Sequence, residues 1–143
     1  MFDTMYNAHG SGLAAPQINF PVNILVVDAE ISEGTIFKGA FINPKILSYS
    51  GGLYTMPEGC LSLPGITAPV HRPGTIEIEY YDEKWEHYKT TFDGLPARIL
   101  QHEYDHLIGK LFVDRLDIMS KEKILLDLVN IKQKKVKTSY QII

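Results

Sequence analysis

Apolar residues along this chain recur mostly with a strand period up to about residue 93 and with a helical period beyond it. Residues 22–30 form a continuous apolar run, which is typical of a buried strand. Residues 75–82 alternate apolar and polar side chains, which predicts a strand with one buried face. Residues 86–93 are predicted to pair with that strand as a hairpin, through a turn at residues 82–85.

Residues 35–52 contain two dipeptides, Asn43-Pro44 and Gly51-Gly52, that are expected to interrupt regular hydrogen bonding between strands. Proline removes a backbone donor and glycine permits turn conformations, so both pairs are predicted to break a strand. The stretch therefore indicates two extended pieces around Asn43 and Pro44, with Gly51 and Gly52 ending the second piece.

The central helical period is the clearest in the chain. Ile99, His102, Glu103 and His106 fall at positions i, i+3, i+4 and i+7, which places them on one face of a helix. Gly109 follows the last periodic turn, as glycine commonly does where a helix ends.

Two more helices are predicted at the ends of the chain. Residues 1–8 resemble the last turns of a helix, with Gly10 as its stop signal. A C-terminal helix is predicted over residues 120–137, with Ser120 as its N-cap. The pattern predicts an α+β fold in which antiparallel strands pack around one central helix, as a single domain over residues 1–143.

Composition narrows the class of protein. The 143 residues are 45% hydrophobic and 22% charged, as expected for one globular domain. A single cysteine cannot form an internal disulfide, and a net charge of -3 argues against DNA as a partner. No apolar run approaches the roughly 20 residues that span a membrane, so no membrane partner is expected.

Charge is distributed unevenly along the chain. Residues 120–143 contain six lysines and two acidic residues, a local balance of +4, so the rest of the chain carries -7. One interpretation is a solvated terminal helix, and the other is contact with a polyanion.

The segment QHEYDH, residues 101–106, is the first candidate for chemistry. On a helix, His102 and His106 point the same way and can bind one metal ion, and Glu103 beside them can take a proton from water. The alternative is an exposed helix face. The apolar residues on the same stripe argue against it, because they indicate that this face of the helix is buried. A buried His pair without a partner is costly, so the pair is expected to have one.

Two histidines leave a catalytic metal site incomplete, since three protein ligands are usual. Residues after His106 offer only acidic candidates, Asp114, Asp117 and Glu122. Upstream, PEGCLSLPG contains Cys60, whose thiolate suits zinc or ferrous iron. Taken alone Cys60 is typical of a buried small residue, but beside the histidines a Cys-His-His site is favoured.

Two further groups of residues could support such a site. The segment GSGLAAPQ lacks the ending of a phosphate-binding loop, and its Gln17 could place an amide donor in a cleft. The acids Glu58 and Asp105 are candidates to hold the ligand histidines, with Arg72 and Arg98 balancing their charge. The alternative for Arg98 is a weak ion pair at the helix surface.

Three motifs in order, GSGLAAPQ, EGCLS and QHEYDH, resemble the signature motifs of peptide deformylases. Flanking segments agree, including INPKI and ARILQHEYDHLIGKLFVDR, so the resemblance runs from Met1 to about Arg115. It implies an α+β fold and a metal-dependent hydrolase that removes the N-formyl group from the initiator methionine of nascent peptides and releases formate. It also implies a bacterial cytoplasmic protein, with an organelle as the alternative.

The resemblance also implies roles for particular residues. Cys60, His102 and His106 would bind one divalent ion, Fe²⁺ natively, with Zn²⁺, Ni²⁺ or Co²⁺ possible in preparations. Glu103 would accept the proton of the attacking water and pass it to the leaving amine. The oxyanion would be held by the amide of Gln17 and the backbone N–H of Leu61. The substrate-binding residues would be Gly10, Ser11, Gly12, Leu13 and Gly59.

The chain departs from the family pattern in three places. The usual N-terminal segment is not seen before Met1, Ser11 replaces an apolar residue of the methionine pocket, and Thr67 stands where many members carry arginine. Two alternatives to an active deformylase therefore stay open: an inactive or truncated homologue that binds formylated peptide or the ribosome, and an H-E-x-x-H metalloprotease. Ribosome contact would involve the lysines of the C-terminal segment, Lys121, Lys123, Lys132, Lys134, Lys135 and Lys137.

Overall fold

The computed structural model describes residues 1–140, so the last three residues of the predicted domain, 141–143, lie outside the described residues. Five antiparallel strands form one sheet in chain order, with each strand paired to the next. Three α-helices accompany the sheet, which confirms the predicted α+β class. The elements are α1 (Phe2–Asn7), β1 (Gly12–Ala14), β2 (Ile24–Ser32), β3 (Thr35–Cys60), β4 (Leu63–Tyr81), β5 (His87–Asp93), α2 (Gly94–Leu107) and α3 (Ile118–Lys132), with 3₁₀ helices at Ala15–Ile18 and Phe112–Arg115.

Strand β3 is continuous through both predicted breaks. Asn43 takes a left-handed conformation (φ 50°) where the register with β4 shifts, so the first signal bends the strand. Gly51 has φ 73° at a second register shift, and the strand continues to Cys60. The prediction that Gly51 and Gly52 end a strand is therefore wrong, because the positive φ of Gly51 accommodates a bulge within the ladder.

The hairpin of β4 and β5 forms as predicted. Tyr81 lies opposite His87 across it, and the turn is held by Asp82. The Asp82 Oδ1 atom accepts the backbone N–H groups of Lys84 and Glu86 at 2.8 and 2.9 Å. The alternating face of β4 is buried at Ile76 and Ile78, so the predicted strand period is confirmed.

Helix α2 packs against the sheet, in contact with β1, β2, β4 and β5. Its residues Ala97 and Leu100 are fully buried in a core with Leu25 and Ile76. The helix ends where predicted, because Gly109 takes φ 73° and its N–H bonds to a carbonyl of the last turn. The rigid position of α2 fixes the side chains on its opposite stripe.

The predicted end of α1 is shifted by one residue. His9, with φ 57°, takes the left-handed position, and Gly10 follows it and bonds back to the carbonyl of Met5 at 2.9 Å. The prediction of Gly10 as the stop residue is therefore wrong by one position. A two-bond Schellman arrangement closes α1 just before the cleft.

Helix α3 also differs from its prediction at both ends. The Asp117 Oδ1 atom accepts the N–H of Ser120 at 2.7 Å, so Asp117 is the N-cap and Ser120 lies in the first turn. The carboxylate of an N-cap aspartate accepts an N–H group that has no partner within the helix. Its negative charge also interacts favourably with the positive N-terminal end of the helix dipole. The helix ends at Lys132 instead of residue 137, because Lys134 adopts φ 54° and turns the chain back.

A second core fixes α3 on the outer face of β4. Phe112 and Ile124 pack there with Val70 and Leu116. This packing directs the residues after α3 back toward the end of β3. Among residues 1–140, no helix is long and apolar enough to cross a membrane.

Candidate active site

The three predicted ligands converge from two elements. Cys60 is the last residue of β3, while His102 and His106 lie one turn apart on α2. Their ligand atoms all lie within 4.8 Å of one another, and Cys60 Sγ is 3.3 Å from His106 Nε2. The predicted helical spacing thus brings the ligand atoms of the two histidines close together, and β3 brings the Cys60 thiol to the same place from the other side.

Hydrogen bonds make the Cys60 thiol unusually acidic. Burial alone would raise its pKa, but hydrogen bonds with His102 and His106 lower the pKa to about 6. At neutral pH Cys60 is therefore largely a thiolate, the form that binds metals. The same contact acts on His102, where burial lowers the pKa but bonds to Cys60 and Glu58 raise it to about 10.

The donor set fits a divalent transition-metal ion. One thiolate and two imidazoles are ligands of borderline softness, as Zn²⁺ and Fe²⁺ prefer. Three protein ligands also leave a coordination position open, which is the arrangement of catalytic sites. Among the described residues, Glu103 Oε2 is buried beside them without a hydrogen-bond partner. A water molecule placed at the ligands would give that atom a donor.

Glu103 is held in a tight, dry position. Its side chain is only 5% exposed, and burial raises its pKa to about 7 against the lowering effect of His102 and His106. Gly12 on β1 forms one wall, because a Cβ atom added there would lie 2.7 Å from Glu103 Cδ. Only glycine fits at this position without moving the carboxylate.

Gln17 is oriented by two contacts. Its Oε1 atom accepts the Ala14 N–H at 2.8 Å, so the amide nitrogen must face the other way. Its Nε2 atom donates to Ser62 Oγ at 3.1 Å and lies 3.7 Å from Cys60 Sγ. An amide donor is therefore placed beside the ligands, where the sequence predicted one.

A buried carboxylate orients the first histidine. Glu58 Oε1 accepts from Arg72 Nε at 2.7 Å and Arg98 Nη1 at 2.9 Å, and Glu58 Oε2 lies 2.9 Å from His102 Nδ1. Burial would raise the Glu58 pKa, but bonds from His102 and Arg72 hold it well below its usual range. Because the ionised carboxylate only accepts, Nδ1 keeps a proton, and Nε2 of His102 is the nitrogen that would release its proton to bind a metal.

A second carboxylate, that of Asp105, extends this network from Arg72 to Arg115. Asp105 Oδ2 accepts from Arg72 Nη1 at 2.7 Å and from Arg115 Nε at 3.1 Å. Arg98 is 3% exposed and bonds to Glu58, so the alternative of a surface ion pair is wrong for it. Arg115 was not among the predicted site residues. The only signal for Arg115 in the sequence is that a second acid, Asp105, is expected near one arginine, Arg72. If both acids of the network are buried, a further positive charge is needed to balance them.

A cavity of about 620 Å³ opens onto these groups. Four of the predicted substrate-binding residues line it, together with Thr67: Gly10, Ser11, Gly12 and Gly59. Leu13 does not line this cavity. Because side chains alternate along β1, Leu13 points instead into a neighbouring cavity of about 410 Å³.

The last described residues also line the main cavity. Lys137, Thr138, Ser139 and Tyr140 approach it from the end of α3, and Tyr140 donates to the Leu61 carbonyl at 2.8 Å. Sequence reasoning missed this contact, because the segment carries no motif and its partner lies 79 residues away.

Known proteins similar to this chain agree with the geometry. A family model described as polypeptide deformylase matches residues 1–122. A peptide deformylase of Christiangramia forsetii is 42% identical over 99% of this chain and 78% of its own length. One from Chlorobaculum parvum is 49% identical over 99% of this chain and 76% of its own length.

Solved structures give the same result. Arabidopsis thaliana peptide deformylase 1B, in complex with an inhibitor, superposes with a TM-score of 0.85 at 41% identity, over 94% of this chain and 75% of that one. A peptide deformylase of Synechococcus elongatus in complex with actinonin superposes with a TM-score of 0.79 at 39% identity. That match covers 100% of this chain and 76% of the solved one.

Proposed function

We propose roles for the site residues from the premise that this chain belongs to the polypeptide deformylase family. Its function is the metal-dependent hydrolysis that removes the N-formyl group from the initiator methionine of nascent polypeptides. One observation supports the residue roles best: the Cys60, His102 and His106 ligand atoms meet beside the buried Glu103 carboxylate. Nothing in the described structure favours an inactive homologue or an H-E-x-x-H metalloprotease.

Cys60, His102 and His106 are proposed to hold one divalent cation. Fe²⁺ is expected natively, and Zn²⁺, Ni²⁺ or Co²⁺ can occupy such a donor set in preparations. When bound, the cation would polarise the formyl carbonyl and make the attacking water more acidic. Glu58 supports this role by keeping the proton of His102 on Nδ1, away from the ligand atom.

Glu103 is proposed to carry the proton through the reaction. It accepts one proton as the water oxygen bonds to the formyl carbon, and it delivers that proton to the amine as the C–N bond breaks. Formate and a free N-terminal amine are the products. Burial raises the pKa of the Glu103 carboxyl above its ordinary value, which helps it to accept the proton from water and hold it for return to the amine.

Two donors are proposed to stabilise the tetrahedral oxyanion. The first is Gln17 Nε2, whose direction is set by the bond from Ala14 N–H to the other end of the amide. The second is the backbone N–H of Leu61, the residue that follows Cys60. Fixed donors of this kind lower the barrier because they need no reorganisation as charge develops.

The peptide substrate is proposed to lie as an added strand along the edge at Gly10, Ser11 and Gly12, with Gly59 opposite. Ser11 and Thr67 both line this cavity: the Ser11 hydroxyl makes the methionine pocket more polar than an aliphatic residue would, and Thr67 in place of an arginine weakens binding of the peptide backbone. The methionine side chain is therefore expected to be bound with less discrimination against polar analogues.

Ribosome contact and a cytoplasmic location in a bacterium, with an organelle as the alternative, are further proposals. Charge supports the first, because all six lysines of the C-terminal segment are exposed. Reversing the charge of Lys121, Lys123 and Lys132 by substitution with glutamate should lower co-sedimentation with ribosomes and leave turnover of a short peptide intact, since these exposed lysines lie outside the catalytic cavity. Unchanged co-sedimentation would count against ribosome contact.

The deformylase function is tested by comparing formylated and unformylated Met-Ala-Ser. Metal-loaded protein should release formate from the first and cleave no bond in the second. Cleavage of internal peptide bonds in both would favour a metalloprotease. Binding of the formylated peptide without turnover, at full metal content, would favour an inactive homologue.

A further inference from the structure

The chain segment after α3 returns to the catalytic cavity. The residues Lys137, Thr138, Ser139 and Tyr140, called here the C-terminal strap, line the same cavity as Glu103 and Cys60. The turn at Lys134 makes this return possible, since Lys135 N–H bonds back to the Asn130 carbonyl at 2.9 Å. No role in hydrolysis requires these four residues.

One side chain fixes the strap to the catalytic loop. The Tyr140 hydroxyl donates to the Leu61 carbonyl at 2.8 Å, directly after the Cys60 ligand. Tyr140 is half-buried, and Ser139 and Tyr140 also line the neighbouring 410 Å³ cavity together with Leu61 and Gln17. Ser139 and Tyr140 of the strap thus border both cavities, beside the oxyanion residues Gln17 and Leu61.

The strength of this anchor suits a movable element. Within residues 1–140, one hydrogen bond joins the strap to the catalytic loop, and Lys137 and Ser139 are exposed. Segments with few buried contacts open at low cost compared with global unfolding. The strap can therefore detach while the metal ligands, which lie on β3 and α2, stay in place.

The size of the cavity gives the strap a consequence for substrates. A volume of about 620 Å³ is typical of pockets that enclose one small molecule. A short formyl peptide fits inside, but a nascent chain must continue out of the pocket. Because the strap lines the open cavity, a chain that continues past it meets these residues, whereas a short peptide does not.

We propose that the C-terminal strap is an autoinhibitory element, closed over the cleft by the Tyr140–Leu61 hydrogen bond and displaced by long formylated chains but not by short ones. This proposal rests on the deformylase function. It predicts that the enzyme is intrinsically slower on long peptides than its chemistry requires.

The test compares kcat/KM for formyl-Met-Ala-Ser with that for a formylated nonapeptide, in the metal-loaded full-length chain. Tyr140→Phe removes only the hydroxyl, and Tyr140→Ala removes the whole anchor. Each should raise kcat/KM for the nonapeptide about two- to tenfold, the worth of one net hydrogen bond, and leave the tripeptide value within twofold. Tyr88→Phe, which changes an exposed tyrosine on β5, is the matched control and should alter neither value.

Trypsin cleavage after Lys137 gives a second readout that does not depend on turnover. Tyr140→Phe should speed this cleavage in the free protein, and a bound non-hydrolysable nonapeptide should speed it in the wild type. Equal kcat/KM changes for both peptides, or none, would overturn the proposal. Lower values for both would show that the strap binds substrate instead of excluding it. Failure of the wild type to hydrolyse the tripeptide would contradict the deformylase function itself, and the inhibitory role with it.

Discussion

Gly12 on β1 lies directly against the side chain of Glu103 on α2, so close that a Cβ atom at Gly12 would sit 2.7 Å from Glu103 Cδ. The edge of β1, which is proposed to bind the peptide, is therefore in direct contact with the carboxylate that is proposed to carry the proton. The position of the substrate backbone and the position of the proton carrier are fixed together. A change at this contact should affect chemistry before it affects folding.

Gly12→Ala should lower kcat by about tenfold to a hundredfold, because the added methyl group displaces the Glu103 carboxylate. The metal content should stay at one ion per chain, since none of the three ligands is touched. Gly52→Ala is the matched control, because a Cβ there meets nothing within 4 Å and the φ angle is not positive. A variant at Gly12 with unchanged kcat would contradict the proposed role of this contact.

Glu58→Gln should destabilise the protein by about 3–5 kcal/mol, since it leaves Arg72 and Arg98 buried beside a neutral group. Metal affinity should fall about 10- to 100-fold, because His102 loses the carboxylate that orients it. Urea unfolding and metal titration measure the two effects. The comparison variant is Glu77→Gln, whose pair with Lys89 is largely exposed and should contribute little. Equal stability of the two variants would contradict the network.

Removal of the metal should reveal a pH-dependent cost at Glu103. Its folded-state pKa of about 7 lies above the ordinary value of 4.5, so between these values the folded state binds more protons than the unfolded state. The contribution of Glu103 to the free energy of unfolding of the metal-free protein should therefore fall as the pH rises from about 4.5 to about 7.

Glu103→Gln removes this titration. The metal-free variant should match the wild type at pH 4 and be more stable by about 3 kcal/mol at pH 8. Chemical denaturation of both proteins at the two pH values checks the sign. A variant that is less stable than the wild type at pH 8 would show that the carboxylate is ionised without cost in its pocket.

Asp117→Ala should lower the melting temperature by a few degrees, because the N-terminal N–H groups of α3 lose their acceptor. Ser120→Ala should change it little, since the Ser120 hydroxyl is not the cap. The opposite order would restore Ser120 as the N-cap. Circular dichroism melting of the two variants decides between these assignments.

Much of the fold was predictable because its determinants are local. The alternation at residues 75–82 and the helical stripe of Ile99, His102 and His106 each report one buried face, and both elements formed where the pattern placed them. Gly51 was misjudged because glycine serves a turn and a bulge equally well, and only the pairing of β3 with β4 decides between them.

The candidate site shows the same contrast: some of its residues could be predicted from the sequence, and others depend on contacts that only the fold creates. The need for a third ligand and the resemblance of the motifs placed Cys60 and His102 together, since the chemistry of the ligands restricts the choice of partners. Arg115 and Tyr140 could not be found this way. Their partners, Asp105 and the Leu61 carbonyl, are reached only after the 3₁₀ helix and the return from α3 have formed.

Formate release by metal-quantified protein, measured beside Glu103→Gln, tests the central claim most directly. Anaerobically purified wild type should hydrolyse formyl-Met-Ala-Ser, while the variant should bind one ion per chain and lose at least about a hundredfold in kcat. That result would establish Glu103 as the proton carrier at an intact metal centre. Turnover by the variant within a few fold of the wild type, at equal metal content, would contradict the account.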